Sequence, residues 1–181
     1  FWSGQGFRGQ LSIRAGACFN LPEEHLIEIA LFTELLHNAS LVHDDIVDSD
    51  HERRGHQTVW HKYGLSKALL VGDLLIAKAF EIASSSAIDS SIKSKWTLNL
   101  SNAISVAVRG ALCELDFKVA KTDNLFSRYL NMAYDKTGVM FTLPISCVGH
   151  AARLEDAEIK KLTEVFAKLA VAYQIRDDEE D

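Results

Sequence analysis

The stretch from Pro22 to Asp48, PEEHLIEIALFTELLHNASLVHDDIVD, carries the clearest helical signal in the chain. Pro22 suits the first position of a helix, and Glu23 and Glu24 then fall in the first turn, where the helix dipole favours negative charge. Apolar and small residues follow at helical spacing, namely Leu26, Ile29, Ala30, Thr33, Leu36 and Leu41. The stretch therefore predicts one long helix.

The rest of the chain carries the same helical signals. It contains only two prolines and few glycines, and no alternating run is long enough for a sheet. The charged segment 49–64 predicts a loop with a short turn. Further helices are predicted over residues 66–86, 92–119, 124–150 and 156–177, with connections at 84–94 and 121–124. We therefore predict an all-α fold, an antiparallel helical bundle.

Length and composition limit the class of protein. The 181 residues, 48% of them hydrophobic, suffice for one domain with a core, and we expect residues 1–181 to form a single domain that continues past Asp181. The net charge of −6 argues against nucleic acid and anionic membranes as partners. No apolar run reaches 18 residues, so no integral membrane segment is predicted.

Three cysteines, Cys18, Cys113 and Cys147, lie far apart and form no CxxC pair. Any disulfide scheme would leave one of them over, so we interpret them as small core residues of a protein in a reducing compartment. This favours a cytoplasmic location.

The motif His43-Asp44-Asp45-Ile46-Val47-Asp48 ends the long predicted helix. Asp44 and Asp48 are four residues apart, so they project from one helix face about 6 Å apart along the axis. Carboxylates this close repel each other unless cations neutralise them. Oxygen ligands favour Mg²⁺ or Ca²⁺ over softer metals, and Mg²⁺ commonly shares its ligands between carboxylates and substrate phosphates. A diphosphate is a natural bridging ligand for such a site.

A second acidic cluster repeats this spacing with Asp177, Asp178 and Asp181. Either cluster alone could be a solvated helix end, but two DDxxD motifs, each following an apolar helix, favour a shared role. Generic cation binding is the alternative for the pair. An EF-hand is excluded, because its loop needs acids at alternate positions around a glycine.

Cationic residues accompany the acidic clusters. Arg53 and Arg54 follow Asp48 by five and six residues, and paired guanidinium groups beside a metal site suit diphosphate oxygens. As an isolated pair, however, such arginines are more often plain surface charges. Lys136, in the sequence Lys136-Thr137-Gly138, is a weaker signal, since a single lysine on a helix usually faces water.

Together, these motifs resemble those of one family, the trans-isoprenyl diphosphate synthases. In chain order they are Glu34-x-x-His37-x-x-Ser40-Leu41-x-His43-Asp44-Asp45-x-x-Asp48, Arg53-Arg54-Gly55, Gly72-Asp73-Leu74-Leu75, Lys136-Thr137-Gly138 and Gln174-x-x-Asp177-Asp178-x-x-Asp181. The resemblance covers nearly the whole chain. It implies a helical bundle of the isoprenoid synthase type around a central cavity.

The resemblance also implies an activity and a set of site residues. Isopentenyl diphosphate would be condensed with an allylic diphosphate, with Mg²⁺ as cofactor. The Mg²⁺ ligands would be Asp44 and Asp48 on one wall of the cavity and Asp177, Asp178 and Asp181 on the facing wall. The catalytic set would be Asp44, Asp45, Asp48 and Lys136. The allylic diphosphate would contact Arg53, Lys136, Thr137 and Gln174, and isopentenyl diphosphate would contact Arg54, His37 and Arg8.

Product length is expected to depend on the residues just before the first aspartate. In the family these residues line the path of the growing chain, and here they are the small Ala39 and Ser40, with Leu36 one turn deeper as a partial floor. This resembles enzymes that make products of twenty carbons or more. The alternative is that Ala39 and Ser40 merely ease helix packing.

One departure from the family pattern concerns the isopentenyl diphosphate site. The family usually carries Gly-Lys-Arg-x-Arg-Pro near its start, whereas this chain has Gly4-Gln5-Gly6-Phe7-Arg8-Gly9. Only the last arginine is retained, as Arg8. Losing one cation from a diphosphate site costs roughly 1–3 kcal/mol, so we expect weaker binding of isopentenyl diphosphate.

Three functional hypotheses follow. The first is an elongating prenyltransferase, which the resemblance implies to be a homodimer. The second is a relative that ionises an allylic diphosphate without adding isopentenyl diphosphate, such as a cyclase or hydrolase. The third is a non-catalytic subunit of a prenyl synthase. Two intact acidic clusters argue against the third, because a subunit that binds no metal gains nothing from mutually repelling carboxylates.

Overall fold

The computed structural model describes residues 6–117 and 125–180, and the side chains of 117, 125 and 177–180 are outside the description. In chain order the elements are α1 (Phe7–Ala17), α2 (Glu23–Val47), β1 (Glu52–Arg53), β2 (His56–Gln57), α3 (Val59–Tyr63), α4 (Leu65–Ser85), α5 (Ser90–Phe117), α6 (Leu125–Ala133), a π-helical turn (Tyr134–Gly138), α7 (Val139–Ala151) and α8 (Asp156–Glu180). The prediction of an all-α fold is confirmed.

Helix α2 lies at the centre of the packing. It begins after Pro22, and Glu23 and Glu24 occupy its first turn as predicted. It packs against α4, α1 and α7, so residues on several of its faces are covered. One face enters the main core, and its opposite flank borders the cavity described below. The long helix that the opening stretch predicts is therefore the scaffold for both the core and the site.

The core is built where α2, α4, α5 and α7 meet. Phe32 and Trp96 are fully buried, with ring centroids 5.6 Å apart. The indole Nε1 of Trp96 donates a hydrogen bond to the backbone oxygen of Cys147 at 2.9 Å, which satisfies the only polar atom of that side chain. Leu36 belongs to the same core cluster. Burial of these large side chains is the main term that stabilises the bundle.

Several details differ from the sequence-based expectations. Helix α1 was not predicted, and the predicted helix 124–150 is divided by the π-helical turn. The segment 49–64, predicted as a loop with a short turn, contains a short antiparallel hairpin and α3. The interpretation of all three cysteines as core residues is wrong for Cys18 and Cys113, which are exposed; Cys147 is buried, and all three thiols are free.

The remaining helix boundaries agree with prediction within about two or three residues, which is the usual scatter for helix ends. Within the described part of the chain, no helix combines the length and the apolar character needed to cross a lipid bilayer.

Candidate active site

The C-terminal end of α2 carries three aspartates in three different environments. Asp44 is half-buried, Asp45 is 5% exposed and Asp48 is exposed. Asp45 accepts a hydrogen bond from Nε of Arg53 at 2.6 Å, which makes it part of a salt bridge. Asp44 instead approaches Lys136, whose Nζ lies 4.0 Å from its Oδ2. The adjacent residues Asp44 and Asp45 therefore belong to two different charge clusters, one with Lys136 and one with Arg53.

Lys136 lies in the π-helical turn and connects three elements. Its Nζ donates a hydrogen bond to Oε2 of Glu114 on α5 at 2.6 Å and faces Asp44 on α2. Glu114 was not among the residues that the sequence singled out. Glu114 lies on a helix with many polar residues. Its sequence context does not distinguish it from a glutamate that faces water.

The charges in this cluster perturb one another. Burial raises the pKa of Asp44; Lys136 acts in the opposite direction, while the carboxylates of Asp48 and Glu114 add to the rise. Burial acts to lower the pKa of Lys136, but attraction to Asp44 and the hydrogen bond to Glu114 outweigh it, so this pKa is raised. The ammonium therefore stays charged among crowded carboxylates.

A cavity of about 1340 Å³ lies between α1, α2, the hairpin, α3, α7 and α8, and Asp45 is the α2 aspartate on its wall. Its wall is rich in groups that bind anions, namely Arg8, His37, Arg53 and Arg54. Apolar side chains complete the lining, among them Leu41, Val42, Phe141, Leu169 and Tyr173. The sequence predicted these four cationic or imidazole residues from three separate motifs, and the structure brings them to one cavity. Such a wall suits a ligand with an anionic head and an apolar body.

Arg8 and His37 form a direct pair inside the cavity. The Arg8 guanidinium donates a hydrogen bond to Nε2 of His37 at 2.9 Å and lies 4.8 Å from the ring centroid of Phe141. Burial, followed by repulsion from Arg8 and Arg54, lowers the pKa of His37 to about 3. Burial also lowers the pKa of Arg8 to about 10. His37 is therefore a neutral acceptor at physiological pH, and Arg8 remains the cation.

The hairpin between β1 and β2 presents Arg53 and Arg54. Arg53 pairs with His56 across a two-residue loop, and both loop residues have positive φ, 53° for Arg54 and 76° for Gly55. Positive φ at both positions matches the tight two-residue hairpin turn, in which glycine is a favoured residue. The turn lets Arg53 reach Asp45 while Arg54 stays exposed at the cavity. A residue other than glycine rarely has a positive φ, and the residues that do cluster at functional sites.

The motif on α8 is only partly described. Thr137 Oγ1 donates a hydrogen bond to Oε1 of Gln174 at 2.8 Å, which ties the π-helical turn to α8. Asp177 and Asp178 follow Gln174 on the same helix, but their side chains lie outside the description, and Asp181 lies outside the described residues. Gln5, the departure from the family pattern, also lies outside the described residues.

The residues predicted to set product length lie on α2 before the acidic motif. Leu36 is 2% exposed and belongs to the core cluster, and Ala39 is 1% exposed. Ser40 is half-buried, and its hydroxyl donates to the backbone oxygen of His37 within the same helix. Ser40 is the one of the three whose side chain retains solvent access.

The donor atoms fit a magnesium ion held jointly by protein and ligand. Within residues 6–116 and 126–176, no three histidine, cysteine, aspartate or glutamate side chains converge as a metal site. Asp44 and Asp48 nevertheless provide oxygen donors at the C-terminal end of α2, whose last turn has no basic residue and whose dipole disfavours negative charge. Mg²⁺ often takes only one or two carboxylates when phosphate oxygens and water complete its shell.

Comparisons with known proteins identify relatives along the chain. A family model described as polyprenyl synthetase matches residues 2–181. The short chain isoprenyl diphosphate synthase of Methanocaldococcus jannaschii is 35% identical over 159 residues, which cover 86% of this chain and 46% of that protein. The geranylgeranyl diphosphate synthase of Saccharolobus solfataricus is 34% identical over 157 residues, covering 86% and 47%. The chain thus spans about half the length of these curated relatives.

Solved structures agree with the sequence matches. The geranylgeranyl pyrophosphate synthetase from the archaeon Geoglobus acetivorans matches with a TM-score of 0.94 at 29% identity, covering 99% of this chain and 58% of that one. The match extends over α1, the hairpin and the π-helical turn, the elements that position the cationic cavity wall and Lys136. On these grounds the chain belongs to the polyprenyl synthetase family, the trans-isoprenyl diphosphate synthases.

Proposed function

We propose that this protein is a prenyltransferase that condenses isopentenyl diphosphate with an allylic diphosphate to give a longer trans-polyprenyl diphosphate. The observation that carries the proposal is the cavity with Arg8, His37, Arg53 and Arg54 on its wall, next to the cluster of Lys136 and the α2 aspartates. Two diphosphates bring several negative charges, and this arrangement offers cations in two groups. The apolar part of the cavity lining suits a prenyl chain.

Magnesium is the proposed cofactor. Asp44 and Asp48, with Asp177, Asp178 and Asp181, would hold it, and it would act as a Lewis acid that stabilises charge on the departing diphosphate. Asp45 has a different proposed role. Its salt bridge fixes Arg53, so that the guanidinium is directed by a buried carboxylate rather than moving freely.

The protein's own part in the reaction is positioning and electrostatic stabilisation. The allylic C–O bond breaks, the double bond of isopentenyl diphosphate forms the new C–C bond, a proton is lost and pyrophosphate leaves. Arg53, Lys136, Thr137 and Gln174 would orient the allylic diphosphate. Arg54, His37 and Arg8 would hold isopentenyl diphosphate, with neutral His37 keeping Arg8 in place. No side chain need act as a nucleophile, and the apolar wall limits attack by water.

We further propose products of twenty carbons or more. The growing chain would pass the small side chains of Ser40 and Ala39 towards Leu36. The relatives include the geranylgeranyl diphosphate synthase of Saccharolobus solfataricus, which supports this length.

A direct experiment tests the activity. The intact protein is incubated with Mg²⁺, labelled isopentenyl diphosphate and each allylic primer in turn, and the products are sized. Labelled polyprenyl diphosphate is expected. Hydrocarbon or alcohol formed from the allylic diphosphate alone would instead indicate the cyclase or hydrolase alternative. Tight binding without turnover by the purified protein would indicate a non-catalytic subunit.

The assembly and setting are also proposals. We propose a homodimer of single-domain protomers in the cytoplasm. A row of exposed leucines on α4 supports self-association, namely Leu65, Leu69, Leu70 and Leu74, which are between 45% and 69% exposed. Burying such a row against a copy of itself removes apolar surface from water at both protomers. Light scattering should give twice the protomer mass, and Leu70→Glu should halve it.

A further inference from the structure

Three residues of helix α5 contact the π-helical turn at or beside Lys136. Nε of Arg109 lies 3.1 Å from Oδ2 of Asp135. Gly110 packs against the backbone of Lys136, and Glu114 accepts the hydrogen bond from the Lys136 ammonium at 2.6 Å. Gly110 and Glu114 are four residues apart, so they lie on the same face of α5. One helix face therefore contacts both the backbone and the charged end of Lys136.

The contact at Gly110 is too close for any side chain. A β-carbon at this position would lie 2.6 Å from the amide nitrogen of Lys136 and 3.0 Å from its Cα. Both atoms are backbone, so they cannot move aside without shifting the turn. Gly110 thus allows the π-helical turn to sit directly on α5, which sets the point from which the Lys136 side chain extends.

Glu114 then decides where the ammonium of Lys136 rests. Nζ lies 2.6 Å from Glu114 but 4.0 Å from Asp44, so the stronger interaction is with Glu114. The three side chains are similarly shielded, with 24% to 27% of each exposed. If the Glu114 carboxylate were removed, the ammonium would move towards Asp44. It would then compete with any cation for the Asp44 oxygens.

We propose that Glu114 is a positioning residue, which holds the Lys136 ammonium beside Asp44 without allowing it to neutralise Asp44. The proposal rests on the proposed function for its catalytic meaning. Glu114 acts through Lys136, so its contribution should disappear when Lys136 has no charge to be held. Gly110 supports the same geometry from the backbone.

A double-mutant cycle tests this directly. Binding of inorganic pyrophosphate in Mg²⁺ is measured by calorimetry for the intact wild type, Glu114→Ala, Lys136→Ala and the double variant. We expect Glu114→Ala to weaken binding at least about tenfold and to raise the Mg²⁺ concentration needed for half-saturation. In the Lys136→Ala background, the same substitution should change binding by less than about twofold. Equal effects in both backgrounds would overturn the proposal.

Arg109→Gln is the matched control. It breaks another α5 ion pair to the same turn, but at a 60% exposed side chain and away from the Lys136 ammonium. Its pyrophosphate binding should stay within about twofold of wild type. If Arg109→Gln weakens binding as much as Glu114→Ala does, both merely stabilise the turn, and the positioning role is wrong.

A ligand-free measurement separates this proposal from the proposed function. Lys136 is labelled with acetic anhydride, and the rate is followed by peptide mass spectrometry. Loss of the carboxylate partner in Glu114→Ala should change the labelling rate severalfold, whereas Arg109→Gln should not. Unchanged labelling in Glu114→Ala refutes the positioning role even if the protein is an active prenyltransferase. A changed rate in a protein without turnover refutes the proposed function alone.

Discussion

Replacing His37 with glutamine should remove a large part of the acid sensitivity of the folded protein. The pKa of His37 is about 3 in the folded chain against 6.5 for an ordinary histidine, because of burial and then repulsion from Arg8 and Arg54. Between these two pH values the unfolded chain binds a proton that the folded chain does not bind. Stability must therefore fall as pH falls through this window. At pH 5 the loss from this one residue is about 2 kcal/mol.

Glutamine is a suitable replacement because its side-chain oxygen can still accept the hydrogen bond from Arg8 but does not titrate. The free energy of unfolding is measured by urea titration at pH 8 and pH 5 for both proteins. Wild type should lose about 2 kcal/mol more than His37→Gln over this interval. Arg54→Gln retains His37 but removes one repelling charge, so its loss should be intermediate and nearer to wild type. An identical pH dependence in wild type and His37→Gln would refute the lowered pKa of His37 in the folded protein.

Three further predictions concern the metal site, product length and core. Asp44→Asn should weaken Mg²⁺-dependent pyrophosphate binding and slow turnover by at least about 100-fold, because one charged ligand of the metal ion is lost. Helicity by circular dichroism should be unchanged. Full activity would exclude Asp44 as a metal ligand. Ser40→Phe should shorten the products, because an aromatic ring would fill the side of α2 that retains solvent access; unchanged product size would show that the growing chain takes another path. Trp96→Phe should lower the free energy of unfolding, measured by urea titration, by about 1–3 kcal/mol, because the buried hydrogen bond from the indole to the Cys147 oxygen is lost. An effect near zero would show that this hydrogen bond does not stabilise the core.

Periodicity and capping predicted the long helices well because these elements carry their own signals. The apolar positions of α2 recur at helical spacing from Leu26 to Val42, and its first turn is acidic. Propensity and packing agree throughout that helix. Helix α1 gave no such signal, because it is short and contains two glycines, Gly9 and Gly16, which are poor helix formers. Contacts with α2 hold it in place, including the hydrogen bond from the Gly9 amide to Glu34 at 2.7 Å.

The π-helical turn shows the same limit within a helix. The sequence 124–150 has continuous helical character, so nothing predicts an interruption at Tyr134–Gly138. The turn fits because Gly110 lets it lie against α5, and Gly110 is 26 positions from Lys136 in the chain. A close approach of two backbones depends on both segments. The helical pattern of one segment is the same whether or not the other segment packs against it, so the pattern does not predict the contact.

Which residues touch at the site was harder to predict than which residues belong to it. The motifs identified Asp44, Arg53 and Lys136, but they did not indicate that adjacent aspartates would serve different cations. That division follows from helix geometry. Neighbouring residues on α2 project about 100° apart, so Asp44 turns towards the π-helical turn and Asp45 towards the hairpin. Each aspartate then meets a cation from a different element. Glu114 completes the first of these clusters from a helix outside the quoted motifs. A half-buried lysine is stabilised by a carboxylate that is close in space, whatever the distance between the two residues in the sequence.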